Sequence, residues 1–154
     1  MILKTEKVIK EYTDYNGHLN VAYYVRIFDL AADIMLDNFN MGGHSAKNDK
    51  KTTFVAEMYT IYNKEVRLGE DVETHITYVD HDKKRIHYRL SMFHKEKKYL
   101  AATNEVVSLY VDLNKRKVVE FDEDRLSLMN DFIKKNSTKF NSEKLIFTNK
   151  LKKA

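Results

Sequence analysis

One long apolar segment, which follows a polar turn, constrains the fold more than any other part of the sequence. It runs from Val21 to about Phe39, and its charged residues are spaced three or four positions apart: Arg26, Asp29, Asp33 and Asp37. This spacing predicts a helix that carries its charges on one narrow stripe and is apolar around the rest of its circumference. Such a helix has to be enclosed by the remainder of the domain.

The polar turn before the helix occupies residues 12–20 and contains five residues with turn-forming or titratable character: Asp14, Asn16, Gly17, His18 and Asn20. Asn20 directly precedes the apolar segment, which predicts that its side chain caps the helix. The start of a helix carries free N–H groups and a partial positive charge. A titratable turn at this position is therefore suited to chemistry, although the same residues also make an ordinary Asx-type turn.

Five further segments have the alternating, β-branched or aromatic content of strands. They are residues 2–11, 53–62, 71–79, 85–93 and 99–112. The connectors between the last four segments are short and charged, which predicts hairpin turns between antiparallel neighbours.

Two regions outside the strands complete the prediction. Residues 44–52 are polar and rich in lysine and predict a loop. Asp122 predicts the N-cap of a second helix over residues 123–135. The order of elements therefore indicates one α+β domain over residues 1–136, in which an antiparallel sheet of five or more strands curls around a central helix, with a C-terminal helix added. Residues 137–154 form a basic tail, in which residues 145–147 either add a short strand or stay loosely ordered.

Charge and composition exclude several functional classes. Residues 134–154 carry seven lysines and one glutamate, whereas the rest of the chain is close to neutral, so no basic face for nucleic acid is expected. The chain has no cysteine, which excludes a thiolate nucleophile and fits a cytoplasmic location. Residues 1–10 lack the apolar core of a signal peptide, and no apolar run is long enough to cross a membrane. The six histidines show no ligand spacing, so we expect neither a metal nor another cofactor.

The turn and the order of elements resemble the hotdog-fold thioesterases of the 4-hydroxybenzoyl-CoA thioesterase type. The resemblance covers residues 5 to about 133 and depends on five features: Asp14, the Gly17-His18-Leu19-Asn20 element, Tyr24, Phe28 and Asp29. The stretch from Asp14 to Tyr24 looks like the motif of betainyl-CoA thioesterases. Residues 62–69, 101–105 and 110–112 are similar to that group as well. Val21 departs from the wider family, in which a second asparagine is common at this position.

The resemblance implies hydrolysis of a small acyl-CoA, with betainyl-CoA as one candidate. Asp14 would act as a general base toward water or as a direct nucleophile. His18 and Asn20 would assist, and the N–H groups at the start of the helix would stabilise the oxyanion. Further residues are predicted to bind the substrate: Asn16, Gly17, Tyr23, Tyr24, Glu57, Tyr59 and Asn104.

The family also implies a homodimer whose sheets continue edge to edge, with a dimer of dimers left open. Two other functions remain compatible with the fold. One is a non-catalytic protein that binds an acyl-CoA or an acyl carrier, and the other is an enoyl-CoA hydratase or dehydratase that uses His18.

Overall fold

The computed structural model describes residues 1–153. Three helices are present: α1 (Val21–Asn38), α2 (Gly43–Asn48) and α3 (Glu123–Asn136). The strands are β1 (Ile2–Lys7), β2 (Lys51–Tyr62), β3 (Asp71–His81), β4 (Arg85–His94), β5 (Leu100–Asp112) and β6 (Lys117–Val118). The predicted central helix, the five long strands and the C-terminal helix are confirmed.

The five long strands form one antiparallel sheet in the order β1-β3-β4-β5-β2, and the short β6 pairs with the end of β5. The inner face of this sheet holds α1. Seven residues of α1 are buried against it: Tyr24, Ile27, Phe28, Ala31, Ala32, Met35 and Leu36. The opposing strand β4 contributes Ile86, Tyr88, Leu90 and Met92, none of them more than 3% exposed. Burial of apolar side chains of this size typically contributes about 1.5–3 kcal/mol each, so the core depends on α1 being enclosed.

One predicted hairpin is wrong. Residues 80–84 and 94–98 join strands that are neighbours in the sheet, but residues 64–70 join β2 to β3, which are separated by β4 and β5. The connector that contains residues 64–70 therefore crosses from one edge region of the sheet toward the other. This crossing brings it beside the polar turn at residues 12–20.

Two local predictions need correction. The segment predicted as a loop over residues 44–52 instead forms α2 and the beginning of β2. A local hydrogen bond from Ser45 to the backbone oxygen of Lys51 stabilises it, and so does a long-range ion pair between Asp49 and Arg125 of α3. The first strand ends at Lys7, and residues 10–12 form a single 3₁₀ turn.

The C-terminal tail lies against the outer face of the sheet, opposite α1. The backbone N–H groups of Ile146 and Phe147 both donate to the carboxylate of Glu105 in β5, at 2.8 Å each. Arg89 of β4 donates to the backbone oxygen of Asn141 at 2.7 Å. Residues 145–147 therefore add no strand, and a buried carboxylate holds them in place.

Candidate active site

The turn that contains Asp14 is organised by backbone N–H groups. Oδ1 of Asp14 accepts hydrogen bonds from the N–H groups of Asn16, at 2.8 Å, and His18, at 3.3 Å. The N–H of Gly17 donates to the backbone oxygen of Asp14, and Gly17 has a φ of +74°, which favours glycine. Asn16 and His18 thus orient the carboxylate through their main chain, and within residues 1–153 Oδ2 of Asp14 accepts no hydrogen bond.

The connector formed by residues 64–70 supports this turn from outside. The N–H of Leu19 donates to the oxygen of Val66 at 2.8 Å, and the N–H of Leu68 donates to the oxygen of Gly17 at 3.3 Å. His18 and Arg67 also form an isolated antiparallel bridge. The Asp14 turn is therefore held by a connector that lies about 50 residues further along the chain.

The side chain of His18 is oriented by Glu65 and not by Asp14. His18 Nε2 lies 3.2 Å from Oε2 of Glu65, whose other oxygen pairs with Arg67 at 2.7 Å. The hydrogen bond from Arg67, aided by His18, lowers the pKa of Glu65. His18, Glu65 and Arg67 thus form a chain of polar contacts at the surface next to the turn.

The start of α1 has one free donor. Asn20 is the N-cap as predicted, and its Oδ1 accepts from the N–H of Ala22 at 2.9 Å. The N–H groups of Asn20 and Tyr23 are also occupied, by the backbone oxygens of Tyr12 and Asn20 respectively. Within residues 1–153 the N–H of Val21 makes no hydrogen bond, and Val21 is 58% exposed. Val21 is therefore the position in the first turn at which a substrate oxygen can be bound.

The two tyrosines at the start of α1 differ in their surroundings. The ring of Tyr23 is half-buried and stacks on Tyr12 with 4.7 Å between centroids. Tyr24 is buried and meets the edge of Tyr62 at the end of β2, with 5.3 Å between centroids. Burial raises the pKa of Tyr24 to about 12. Tyr24 is therefore a neutral residue that connects the beginning of α1 to the end of β2.

The sheet separates the remaining predicted residues. Asn104 lies on the inner face and donates to Thr60 at 2.8 Å. Glu57 and Tyr59 lie on the outer face, because they pair with Val107 and Glu105 in β5, and Glu57 binds Lys150 of the tail at 2.7 Å. A single chain therefore brings together Asp14, Asn16, Gly17, His18 and Asn20 but not Glu57 and Tyr59. Any role of those two side chains in binding depends on a second subunit.

Sequence reasoning missed the contribution of the connector, particularly Glu65 and Glu70. Glu70 accepts from the N–H of Arg67 at 2.9 Å and pairs with Lys97 at 2.5 Å in the β4–β5 hairpin. Gly69, with a φ of +84°, was the visible signal of a tight turn here. Nothing in the spacing indicated that this turn contacts residues 12–20, because the contact depends on the strand order.

An antiparallel sheet that wraps one central helix, with a carboxylate-bearing turn at the start of that helix, is the arrangement of the hotdog fold. Residues 8–133 match the model of the thioesterase-like superfamily. The chain belongs to the thioesterase-like superfamily, and it is a thioester hydrolase.

Individual relatives agree with this family. A betainyl-CoA thioesterase from Pseudomonas aeruginosa is 27% identical over 115 residues, which cover 75% of this chain and 72% of that protein. A Staphylococcus aureus protein solved in complex with CoA has a TM-score of 0.83 and 24% identity, covering 100% of this chain and 95% of that one. A 1,4-dihydroxy-2-naphthoyl-CoA thioesterase from Synechocystis has a TM-score of 0.74 and 12% identity, covering 83% and 94%. These structural likenesses show the fold.

No helix within residues 1–153 is long and apolar enough to span a membrane.

Proposed function

We propose that the protein hydrolyses a small acyl-CoA to the free acid and CoA, with Asp14 as the reacting carboxylate. The observation that carries this proposal is the geometry of the turn, where backbone N–H groups hold Oδ1 of Asp14 and leave Oδ2 without a partner within residues 1–153. The family match and the CoA complex of the Staphylococcus aureus relative support an acyl-CoA as the substrate. The lack of cysteine supports a cytoplasmic location.

In the proposed mechanism the N–H of Val21 donates to the thioester oxygen as negative charge develops there. The partial positive charge at the start of α1 adds to this stabilisation. Asp14 either takes a proton from the attacking water or attacks the carbonyl carbon itself and forms a mixed anhydride, which water then cleaves. In both routes the carbon–sulfur bond breaks and the CoA thiolate is protonated. A single turnover in isotopically labelled water identifies the anhydride route in which water attacks the carboxyl carbon of Asp14, because the label then enters Asp14 and an unlabelled Asp14 oxygen leaves with the acid product.

We further propose that betainyl-CoA is the preferred substrate. The betainyl-CoA thioesterase of Pseudomonas aeruginosa is similar to this chain over 115 residues. The quaternary ammonium group of such a substrate requires aromatic or anionic surroundings. The tyrosines at the start of α1 and the aspartates along it supply both kinds of group.

The active unit is proposed to be a homodimer formed through β2. This strand is an edge of the sheet, is 12 residues long and pairs only with β5 within residues 1–153. Six of its large apolar side chains are between 38% and 49% exposed: Phe54, Val55, Met58, Tyr59, Ile61 and Tyr62. Pairing two such edges satisfies their backbone groups and covers these side chains.

The deciding experiment is release of free thiol from a panel of acyl-CoAs that includes betainyl-CoA, with wild type and Asp14→Asn. We expect turnover by wild type and a loss of at least about 100-fold in kcat for Asp14→Asn, since the variant lacks the carboxylate. Asp131→Asn, at an exposed position of α3, is the matched control and should retain full activity. Binding without turnover across the panel would instead indicate a non-catalytic acyl-CoA binder, and hydration of an enoyl-CoA would indicate a hydratase.

A further inference from the structure

A cavity of 330 Å³ lies between the outer face of the sheet and the C-terminal tail. Its floor comes from Tyr78 of β3 and His87 of β4, and its roof includes Leu145, Phe147 and Leu151 of the tail. Ligand pockets in proteins begin at about 300 Å³, and an apolar cavity of about 150 Å³ in another protein holds benzene. This cavity therefore has room for a molecule with one or two aromatic rings.

The roof of the cavity is anchored to the sheet at two places. The N–H groups of Ile146 and Phe147 donate to the carboxylate of Glu105, and the N–H of Lys152 donates to Oδ2 of Asp82 at 2.8 Å. Both carboxylate side chains are 3% exposed. The tail segment between these anchors is thus held over the cavity as part of the folded chain.

His87 presents one ring nitrogen that has no partner. Its ring is 2% exposed and lines the cavity, and its Nε2 lies 2.9 Å from Oε1 of Glu105. Since Glu105 also accepts two backbone N–H groups, it acts as an acceptor, and the imidazole proton lies on Nε2. Within residues 1–153 Nδ1 of His87 makes no hydrogen bond. A buried polar atom without a partner is costly, so Nδ1 indicates a ligand with a group that can hydrogen-bond to it.

The rest of the lining is aromatic and has no unpaired charge within residues 1–153. The rings of Tyr78 and Phe147 meet the His87 ring at steep angles, with centroids 5.1 Å and 6.2 Å away. Asp80 binds Nζ of Lys153 at 2.6 Å and accepts from the hydroxyl of Tyr78 at 3.3 Å. Burial, aided by Asp80, raises the pKa of Tyr78 to about 12, so this hydroxyl stays protonated. The lining therefore favours an uncharged ligand.

We propose that this cavity binds a small, uncharged aromatic alcohol whose ring lies against Tyr78 and Phe147 and whose hydroxyl group hydrogen-bonds to Nδ1 of His87. A hydroxyl group both donates and accepts, so it pairs with Nδ1 in either protonation state of the imidazole. The site lies on the face of the sheet opposite α1 and does not depend on the proposed thioesterase function. Because the ligand contacts both the sheet and the tail, its binding also stabilises the docked tail.

The first test is a titration of ¹⁵N-histidine-labelled protein with 2-naphthol, in which the Nδ1 resonance of His87 is followed. Naphthalene, which has the same rings without the hydroxyl group, is the control ligand. We expect a saturable shift with 2-naphthol and an affinity about 3- to 10-fold higher than that for naphthalene, because one hydrogen bond contributes roughly this factor. An unchanged His87 resonance would overturn the site, and equal affinity for the two compounds would overturn the hydroxyl contact.

Thr148→Trp tests where the ligand binds. Thr148 lines the cavity, and the larger side chain occupies the space that the ligand needs, so we expect saturable binding to be lost. Thr138→Trp is the matched control, because Thr138 is an exposed residue of the tail that does not line the cavity. Binding of 2-naphthol to Thr148→Trp with the affinity of wild type would place the ligand elsewhere and overturn the proposal.

Protection of the tail from trypsin provides a second readout. Cleavage at the lysines of residues 144–153 should slow about tenfold when free 2-naphthol is at about nine times its Kd, since the ligand binds only the docked tail. The same concentration should leave cleavage of Thr148→Trp unchanged, and unprotected wild type would contradict a ligand that bridges tail and sheet. Neither readout uses an acyl-CoA, so a protein that binds 2-naphthol but hydrolyses no thioester contradicts the proposed function alone.

Discussion

At the scale of single residues, the proposed site depends on main-chain groups more than on side chains. Asn16 and His18 orient Asp14 through their N–H groups, and the side chain of Asn20 caps α1. The N–H of Val21 is the donor that these contacts leave without a partner within residues 1–153. In the proposed mechanism Val21 contributes through its backbone N–H, a group that any residue except proline supplies, so the mechanism does not require asparagine at this position.

Replacing Val21 with proline tests this donor, because proline has no backbone N–H. Val21 is the first residue of α1, where proline is well tolerated, and Asn20 already has the extended conformation that a following proline requires, with φ −67° and ψ 143°. We expect kcat to fall about 100- to 1,000-fold because the N–H is lost. The measurement is steady-state thioester hydrolysis, with circular dichroism as the check on folding. Val21→Ala keeps the N–H and should stay within a few-fold of wild type, and a fully active Val21→Pro would remove Val21 from the oxyanion site.

At the scale of elements, the connector between β2 and β3 holds the turn in place. Glu70 anchors this connector, because its carboxylate accepts from the N–H of Arg67 and contacts Lys97 and His94 of the β4–β5 hairpin. Burial raises the pKa of Glu70, but these hydrogen bonds outweigh it and lower the pKa from 4.5 to about 2. The ionised carboxylate is therefore the form that stabilises the connector.

Glu70→Gln is expected to lower the free energy of unfolding at pH 7 by about 1 kcal/mol, after allowance for the exposure of the group to solvent. Since the pKa in the folded protein lies below the ordinary value of 4.5, the stabilisation is complete above that value and is lost as the pH falls toward about 2. Urea unfolding of wild type and variant between pH 7 and pH 3 measures the difference. The difference in the free energy of unfolding should become smaller at the acid end of this range. A difference that is independent of pH would contradict the stabilising role of the ionised Glu70 carboxylate.

The C-terminal tail is held by one buried carboxylate. Glu105 is 3% exposed in its side chain, binds His87 at 2.9 Å and accepts from the N–H groups of Ile146 and Phe147. Glu105→Ala leaves these donors unsatisfied, and we expect it to destabilise the protein by about 2–3 kcal/mol and to release the tail. Limited proteolysis at the lysines of residues 144–153, followed by mass spectrometry, detects the release.

Lys150→Ala serves as the control for Glu105→Ala. It removes an exposed salt bridge between the tail and Glu57, and exposed pairs contribute at most about 1 kcal/mol. Cleavage of this variant at the remaining tail lysines should match wild type. Equal cleavage of Glu105→Ala and wild type would show that Glu105 does not hold the tail.

At the scale of the whole molecule, the two edges of the sheet are unequal. The edge strand β1 has six residues, whereas β2 has twelve and exposes a row of large apolar side chains. A long edge strand with exposed apolar side chains is prone to pair with a strand of another chain. The proposed homodimer uses the longer edge.

Ile61→Lys should weaken the dimer, because it places a charge on the proposed edge, where the isoleucine is 38% exposed. Sedimentation velocity across a concentration series measures the dissociation, and thiol release at the same concentrations should fall as dimer is lost. Ile2→Lys places the same charge on β1, where Ile2 is 51% exposed, and should leave the dimer intact. The opposite result would assign the interface to β1.

Local patterns in the sequence were sufficient for the helices α1 and α3, for the five long strands and for the N-cap at Asn20, because hydrophobic periodicity and capping act over a few residues. They also located the Asp14 turn, since a titratable turn before an apolar helix is contiguous in the chain. The boundary at Asp122 shows the limit of such patterns. Asp122 stands at the N-cap position, yet its side chain binds Lys51 and Tyr110 instead of capping α3.

Contacts between distant segments decided the rest. The order β1-β3-β4-β5-β2 separates β2 from β3, and it therefore places the connector of residues 64–70 against the Asp14 turn. The same order leaves β2 at an edge of the sheet, where Glu57 pairs with Lys150 of the tail. Strand order depends on which edges pair across the whole sheet, and side-chain alternation is the same for every possible order. No local pattern carries that information, so the surroundings of the site emerge only when the chain is folded.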